Sequence, residues 1–196
     1  MKVAIGQDSH RFDFDNKDKK LILGGIIIDN HPPLLGNSDA DVILHSITNA
    51  ISGITCVNIL GEIADNMCKN GITDSSKYLE EALKYFNDKY LISHLSISIE
   101  CKTPKITPHI PKIRNNLSIL LNIPDSCIGI TATTGEGLTD FGRGLGIQVF
   151  SCITACEKWF FPTLKGISII NVVYILYNIY YLFLGGMSYY EKQWQF

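Results

Sequence analysis

The distribution of charge divides this chain of 196 residues into two unequal parts. From Gly166 to Tyr190 there is no Asp, Glu, Lys or Arg, whereas the preceding sequence carries charged residues throughout. An uncharged run of this length is sufficient to cross a bilayer, which takes roughly 20 residues. We therefore treat residues 1–158 as one domain and residues 159–196 as a hydrophobic C-terminal extension.

Three interpretations of the extension stay open. Residues 166–187 can form a membrane span or an interfacial anchor, because aromatic residues follow them as in an interfacial belt. Against this, Asn171, Asn178 and several Tyr residues lower the hydrophobicity. The extension can also be a coding artefact, such as a frameshift or read-through, or a segment that packs on the surface of an oligomer.

Composition excludes several classes of protein. Hydrophobic residues make up 46% of the chain, which excludes a disordered protein. The net charge of −2 provides no basic excess for a nucleic-acid backbone. Six Cys residues follow an N-terminus without the apolar segment of a signal peptide, so we expect reduced thiols and a cytoplasmic or organelle-stroma location.

Residue patterns in the first domain predict alternating strands and helices, which indicates an α/β or α+β fold. Leu21–Leu23 and Ile26–Ile28 flank two glycines, as in a β-hairpin. Period-two alternation over Leu95–Cys101 predicts a strand with one wet face. Further strands are predicted over 2–6 and 127–131. Helices are predicted over 41–51, with Ser38 or Asp39 as the cap, and over 76–86 and 111–121. Residues 147–155 are predicted as a strand or a helix.

Asp8, His10 and His45 are candidate metal ligands. Asp8 and His10 are two residues apart, so an extended segment points both to the same side. Carboxylate and imidazole together suit zinc, and His45 on the following helix can supply a third ligand. A turn Asp, a surface His and a buried, hydrogen-bonded His45 explain the same residues without a metal.

Two further segments are candidate ligand-binding loops. Residues 131–146 combine threonines and glycines with Glu136 and Arg143, which suits a diphosphate with a divalent cation. Residues 102–111 contain three prolines, and the backbone of such a stiff loop can bind a base edge. Glycine-rich and proline-rich loops without any ligand are the alternatives.

Taken in order, five segments resemble the 2-C-methyl-D-erythritol 2,4-cyclodiphosphate synthase family over about residues 1–156. The segments are GQDSHRF, LLGNSDADVILHSITNAISG, DSSKYLEEA, TPKITPHIP and TATTGEGLTDFGRGLGIQ. The resemblance implies an α/β (α+β, sandwich-like) subunit with a mixed sheet, helices on one face, and a homotrimer with active sites between subunits. It also implies a lyase of the non-mevalonate isoprenoid pathway, which cyclises 4-diphosphocytidyl-2-C-methyl-D-erythritol 2-phosphate and releases CMP.

The resemblance assigns roles to individual residues. It implies zinc on Asp8, His10 and His45, and a second ion, Mg²⁺ or Mn²⁺, near Glu136. The implied catalytic residues are Asn37, Thr134 and Glu136. The implied substrate-binding residues are Ser38, Glu62, Cys101, Pro104, Lys105, Ile106, Thr107, Thr133, Thr134, Phe141 and Arg143.

Three positions depart from the family pattern. Asn37 stands where the family usually has His, and Asn cannot carry a proton or a positive charge. Asn49 replaces an Asp that usually follows the ligand helix, and residues 64–68 lack the usual Phe-Pro-Asp lid. Because the three metal ligands and Glu136 remain, we expect an active enzyme. The alternative is a catalytically impaired homologue that binds metal and nucleotide, either free or tethered to a membrane.

Overall fold

A computed structural model describes residues 1–158 of the chain, so the predictions for residues 159–196 and for a membrane segment at 166–187 lie outside the described residues. The described part contains six β-strands and five α-helices. In chain order they are β1 (Lys2–Arg11), β2 (Leu21–Leu23), β3 (Ile26–Ile28), α1 (Val42–Thr55), α2 (Glu62–Lys69), α3 (Ser75–Asn87), β4 (Tyr90–Glu100), α4 (Ile110–Leu121), β5 (Ile128–Thr133), α5 (Asp140–Arg143) and β6 (Gly146–Glu157).

Four of the strands form one mixed sheet in the order β1-β6-β4-β5. β6 is antiparallel to both β1 and β4, whereas β4 and β5 are parallel. β1 pairs with β6 without interruption from Lys2 to Arg11. The predicted β-hairpin is present as the separate pair β2 and β3.

Helices cover one face of this sheet because its strands alternate in polarity. On β4, Leu95, Ile97 and Ile99 are fully buried, whereas Ser96 and Ser98 are exposed. α1 packs on β1 and β6, α3 packs on α1 and β4, and α4 packs on β5. The mixed sheet with helices on one face confirms the expected fold class.

Helix α1 begins differently from the prediction. The expected caps were Ser38 or Asp39, but Asp41 is the N-cap, and its side chain accepts the N–H groups of Ile43 and Leu44. Asp41 takes this position because its carboxylate also binds the hairpin turn, at the N–H groups of Gly24 and Gly25. Such a long-range bond is invisible in local sequence.

Several boundaries also differ. The strand predicted over 2–6 extends to Arg11, so Asp8 and His10 lie within the strand and not after it. The last element is a strand, and the short helix α2 was not predicted at all. Within residues 1–158 the longest helix, α1, has 14 residues, and no helix there combines the length and apolar character needed to traverse a bilayer.

Candidate active site

Strand β1 and helix α1 bring Asp8, His10 and His45 together at one point. Oδ2 of Asp8 lies 3.0 Å from Nε2 of His10 and 3.0 Å from Nδ1 of His45. The two ring nitrogens are themselves 3.4 Å apart. One oxygen and two nitrogens thus converge from two elements, as a three-ligand metal site requires.

In each imidazole, the ring nitrogen that faces away from Asp8 has a hydrogen-bond partner of its own. Nδ1 of His10 lies 2.8 Å from the carbonyl oxygen of Leu35, which can only accept, so Nδ1 carries the proton. In the neutral ring that a metal binds, Nε2 of His10 then carries the lone pair. Nε2 of His45 lies 2.8 Å from Oγ of Ser75. A carboxylate and two imidazoles are the hard and borderline donors that zinc takes, so this donor set fits zinc.

The electrostatics of the triad favour a cation. Burial raises the pKa of Asp8, but hydrogen bonds from His10 and His45 outweigh it and hold the pKa of that carboxyl well below its usual range. Burial lowers the pKa of His10, but the hydrogen bond and the charge of Asp8 raise it by more, so the pKa of His10 lies above its ordinary value. Both shifts arise because Asp8 stays ionised and attracts positive charge.

Gly6 allows the close approach of β1 and α1 that brings these ligands together. A Cβ at Gly6 would collide with the backbone of Ser46 and Ala50. The hydroxyl of Ser46 also lies 2.6 Å from that of Ser151 on β6, which fixes the helix on the sheet. His45 precedes Ser46 and Asp8 follows Gly6 by two residues, so this contact sets the spacing of the ligands.

Asp41 fixes the beginning of α1, one helical turn before His45. Burial raises the pKa of Asp41 to about 6, although the N–H groups of Gly25, Leu44 and Gly24 lower it. Both carboxylate oxygens accept backbone N–H groups. Asp41 acts as a structural anchor for the helix that carries His45.

The metal triad opens into a pocket of about 450 Å³. Asn37 and Ser38 line it, and so does Asn49, one of the departures from the family pattern. Sequence reasoning assigned no role to seven further lining residues, which are Gly36, Leu60, Gly61, Ala64, Asp65, Cys68 and Tyr78. Sγ of Cys68 lies 3.5 Å from the carbonyl oxygen of Asn37, so α2 contacts the 36–38 loop.

The other predicted site residues except Glu62 belong to a second group around the ends of β4 and β5. The N–H of Cys101 donates to the carbonyl of Thr133 at 3.1 Å, and the N–H of Lys102 donates to that of Phe141 at 3.0 Å. The side chains of Glu100 and Thr139 are hydrogen-bonded to each other. In this group Lys105, Thr107, Thr133 and Glu136 are exposed, whereas Cys101, Pro104 and Ile106 are buried.

The structure does not bring all predicted residues to one place. In the described part of the chain, no residue from 101–107 or 131–143 lines the pocket at the triad. Glu62 is the exposed first residue of α2 and does not line it either. Arg143 donates to Asp140 at 2.7 Å and to the carbonyls of Gly137 and Leu138, so it shapes its own loop.

Ser75 is the functional neighbour that sequence reasoning missed. The predicted helix over 76–86 leaves Ser75 just outside it, yet the hydroxyl of Ser75 lies against His45 in the interior. No sequence signal joins two residues 30 positions apart. The one indication is that Ser75 lies inside DSSKYLEEA, a segment that carries the family resemblance.

Comparison with known proteins agrees with this geometry. The YgbB family model matches residues 1–156. The 2-C-methyl-D-erythritol 2,4-cyclodiphosphate synthase of Chlamydia caviae is 48% identical over 157 residues, covering 80% of this chain and 89% of the relative. That of Chlamydia trachomatis serovar D is 49% identical over 157 residues, covering 80% and 88%.

Solved structures show the same fold. A Plasmodium falciparum structure described as an IspF–CDP complex has a TM-score of 0.68 at 31% identity, covering 81% of this chain and 97% of its own. The bifunctional IspDF of Campylobacter jejuni has a TM-score of 0.71 at 27% identity, covering 80% of this chain and 42% of its own.

Proposed function

This chain belongs to the YgbB family, and we propose that it converts 4-diphosphocytidyl-2-C-methyl-D-erythritol 2-phosphate into 2-C-methyl-D-erythritol 2,4-cyclodiphosphate and CMP. It is a lyase that acts on phosphorus–oxygen bonds and serves the non-mevalonate isoprenoid pathway. The names of its Chlamydia relatives support this reaction, and their bacterial origin supports a cytoplasmic location.

The convergence of Asp8, His10 and His45 is the observation that carries the proposal. Their three donor atoms lie 3.0–3.4 Å from one another on two elements that are packed together. We assign zinc to these residues, one ion per subunit. A bound zinc ion supplies Lewis-acid stabilisation of charge on phosphoryl oxygens.

The reaction needs positioning more than proton transfer. An oxygen of the substrate's 2-phosphate bonds to the β-phosphorus, the bond from that phosphorus to the CMP oxygen breaks, and CMP leaves with the electron pair. The attacking oxygen is already ionised at neutral pH, so no strong general base is required. Holding both ends of one molecule in a pocket lined by Asn37 and Ser38 removes the entropic cost of ring closure.

We assign the second group to the cytidine diphosphate part of the substrate. The 101–107 loop and Thr133 would hold the cytosine, and Glu62 the ribose. Thr134 and Arg143 would contact the phosphates, and Glu136 would hold Mg²⁺ or Mn²⁺. Support comes from the exposure of Thr133 and Glu136, and from the Arg143 side chain, which is 55% exposed while paired with Asp140. The CDP complex of the Plasmodium falciparum relative is consistent with such a site.

A second copy of the chain would complete the site, and we propose a homotrimer. The sheet face without helices exposes large apolar side chains: Val3, Ile5 and Phe150, of which Ile5 is 69% exposed. Burying such a face between subunits is favourable. It would also allow the second group of one subunit to face the triad of its neighbour. Light scattering of the purified protein should give three times the subunit mass.

Measurement of CMP release tests the reaction. The full-length chain, supplied with Zn²⁺ and Mg²⁺, should release CMP from the cytidyl diphosphate substrate and form the cyclic diphosphate. Asp8→Asn and His45→Ala should lower kcat at least about 100-fold. Asp88→Asn, at an exposed position outside the site, should retain full activity.

Asn37 favours the alternative of an impaired homologue. A protein that binds zinc and CDP in calorimetry yet releases no CMP would support that alternative and overturn the synthase. Release of free phosphate in place of CMP would also contradict the proposed reaction.

A further inference from the structure

Ser75 occupies the side of His45 that faces away from the metal triad. It is the first residue of α3 and is completely buried. Its Oγ lies 2.8 Å from Nε2 of His45, while Nδ1 of the same ring faces Asp8 at 3.0 Å. The imidazole is therefore held between Asp8 and the N-terminus of α3.

Asp39 determines the direction of the hydrogen bond between Ser75 and His45. Its carboxylate accepts the backbone N–H of Ser75 at 3.1 Å and also the hydroxyl of Ser75. A carboxylate can only accept, so the single hydroxyl proton of Ser75 is used toward Asp39. Oγ of Ser75 can then only accept from His45, which keeps a proton on Nε2. In the neutral ring that a metal binds, the lone pair is therefore on Nδ1.

The Asp39–Ser75 pair is itself held in place. The N–H of Asp39 donates to the carbonyl of Thr73 at 2.8 Å, and its carboxylate also accepts the N–H of Asp41 at 3.2 Å. The ring of Tyr78 lies 6.1 Å from that of His45, centroid to centroid, and its hydroxyl donates to the carbonyl of Ile72 at 2.7 Å. His45 therefore has little freedom to turn over.

We infer that Ser75 and Asp39 are positioning residues, which orient His45 and select Nδ1 as its metal-binding nitrogen. The inference rests on the proposed metal site. Partners of this kind, behind the ligands, typically change metal affinity 10–100-fold when they are removed. The same hydrogen bonds join His45 to the beginning of α3 and, through Ser75, to Asp39 in the segment before α1.

Metal affinity of the full-length chain tests the inference without any substrate. Zn²⁺ dissociation constants are measured by competition with a chromophoric chelator, and Co²⁺ complexes by their visible absorption. Ser75→Ala should bind Zn²⁺ 10–100-fold more weakly and give an altered Co²⁺ spectrum. Ser76→Ala, the matched control at the adjacent serine, should match wild type in both.

If Ser75→Ala does not fold, Asp39→Asn provides a second variant, because the Asn side chain is nearly the same size as that of Asp. It should also weaken Zn²⁺ binding, and the double variant should bind within about twofold of Ser75→Ala, because Asp39 acts through Ser75. Nitrogen NMR of the zinc-loaded wild type should show His45 protonated at Nε2.

Folded Ser75→Ala that binds Zn²⁺ within twofold of wild type, or a wild-type ring bound through Nε2, would overturn the inference. Normal Zn²⁺ binding without CMP release would overturn only the proposed reaction. A wild-type chain that binds neither ion would overturn the metal site and this inference together.

Discussion

The carboxylate of Asp41 accepts the backbone N–H of Gly25 at 2.6 Å, and this bond joins the N-terminus of α1 to the turn of the β2–β3 hairpin. The same carboxylate accepts the N–H groups of Gly24, Ile43 and Leu44 at 2.9–3.1 Å. One buried side chain thus satisfies four donors from two elements that are distant in sequence.

Removal of this carboxylate should cost much more than removal of an ordinary helix cap. Asp41→Ala leaves buried donors without partners, so we expect a loss of about 3 kcal/mol or more in the free energy of unfolding. Asp74→Ala removes the exposed cap of α3, which accepts one N–H, and should cost about 1 kcal/mol. Urea unfolding measures both, and equal losses would contradict the anchoring role of Asp41.

Substitution of Gly6 should weaken metal binding at a distance. In Gly6→Ala the new methyl group forces α1 away from β1, which separates His45 from Asp8. We expect at least a 10-fold weaker Zn²⁺ affinity, and a loss of about 1–3 kcal/mol in stability from overpacking. Gly129→Ala on β5 is the control, because its Cβ would meet no atom closer than 4.0 Å. Unchanged Zn²⁺ affinity in Gly6→Ala would show that the spacing of the ligands does not depend on this contact.

Two glycines in the loop after β5 should respond differently to alanine. Both have positive φ, +58° at Gly135 and +75° at Gly137, so each substitution costs about 1 kcal/mol from backbone conformation alone. A Cβ at Gly135 would also collide with the Glu100 carboxylate, whereas a Cβ at Gly137 would have no atom within 4 Å. We therefore expect Gly135→Ala to be the more destabilising in thermal unfolding and to lower CDP affinity more. The reverse order would contradict a loop held by Glu100.

The thiol of Cys101 should react much more slowly than that of Cys56. Burial raises the pKa of the Cys101 thiol to about 11, so at pH 8 only about one molecule in a thousand carries the reactive thiolate. Cys56 is exposed, and iodoacetamide should label it first. Mass spectrometry of digested peptides gives both rates, and labelling in urea should remove the difference. Equal rates in the folded protein would contradict the burial of Cys101.

The strands and most helices could be predicted from sequence because their patterns are local. Alternation along β4 and the two-glycine turn of the hairpin depend on neighbouring residues only. Helix α2 was missed because it buries only Ala64, so its apolar residues do not mark a face, and Gly61 gives it no side-chain cap.

The metal ligands could be proposed from sequence, but their supporting residues could not. Asp8 and His10 are two residues apart, and His45 interrupts an apolar helix face, so each leaves a local signal. The bonds of Asp41 to Gly24 and Gly25, and of Ser75 to His45, exist only after folding brings distant segments together. Such contacts have no periodicity that a sequence pattern can show.

The unbroken pairing of β1 with β6 divides the triad into a fixed pair and a separate third member. Asp8 and His10 lie on one strand that is paired from Lys2 to Arg11, so the sheet fixes their spacing. His45 lies on a separate helix, so its distance from that pair depends on how α1 packs on the strand at Gly6 and Ser46. A change that loosens this packing displaces one side chain of the triad and leaves the other two in place.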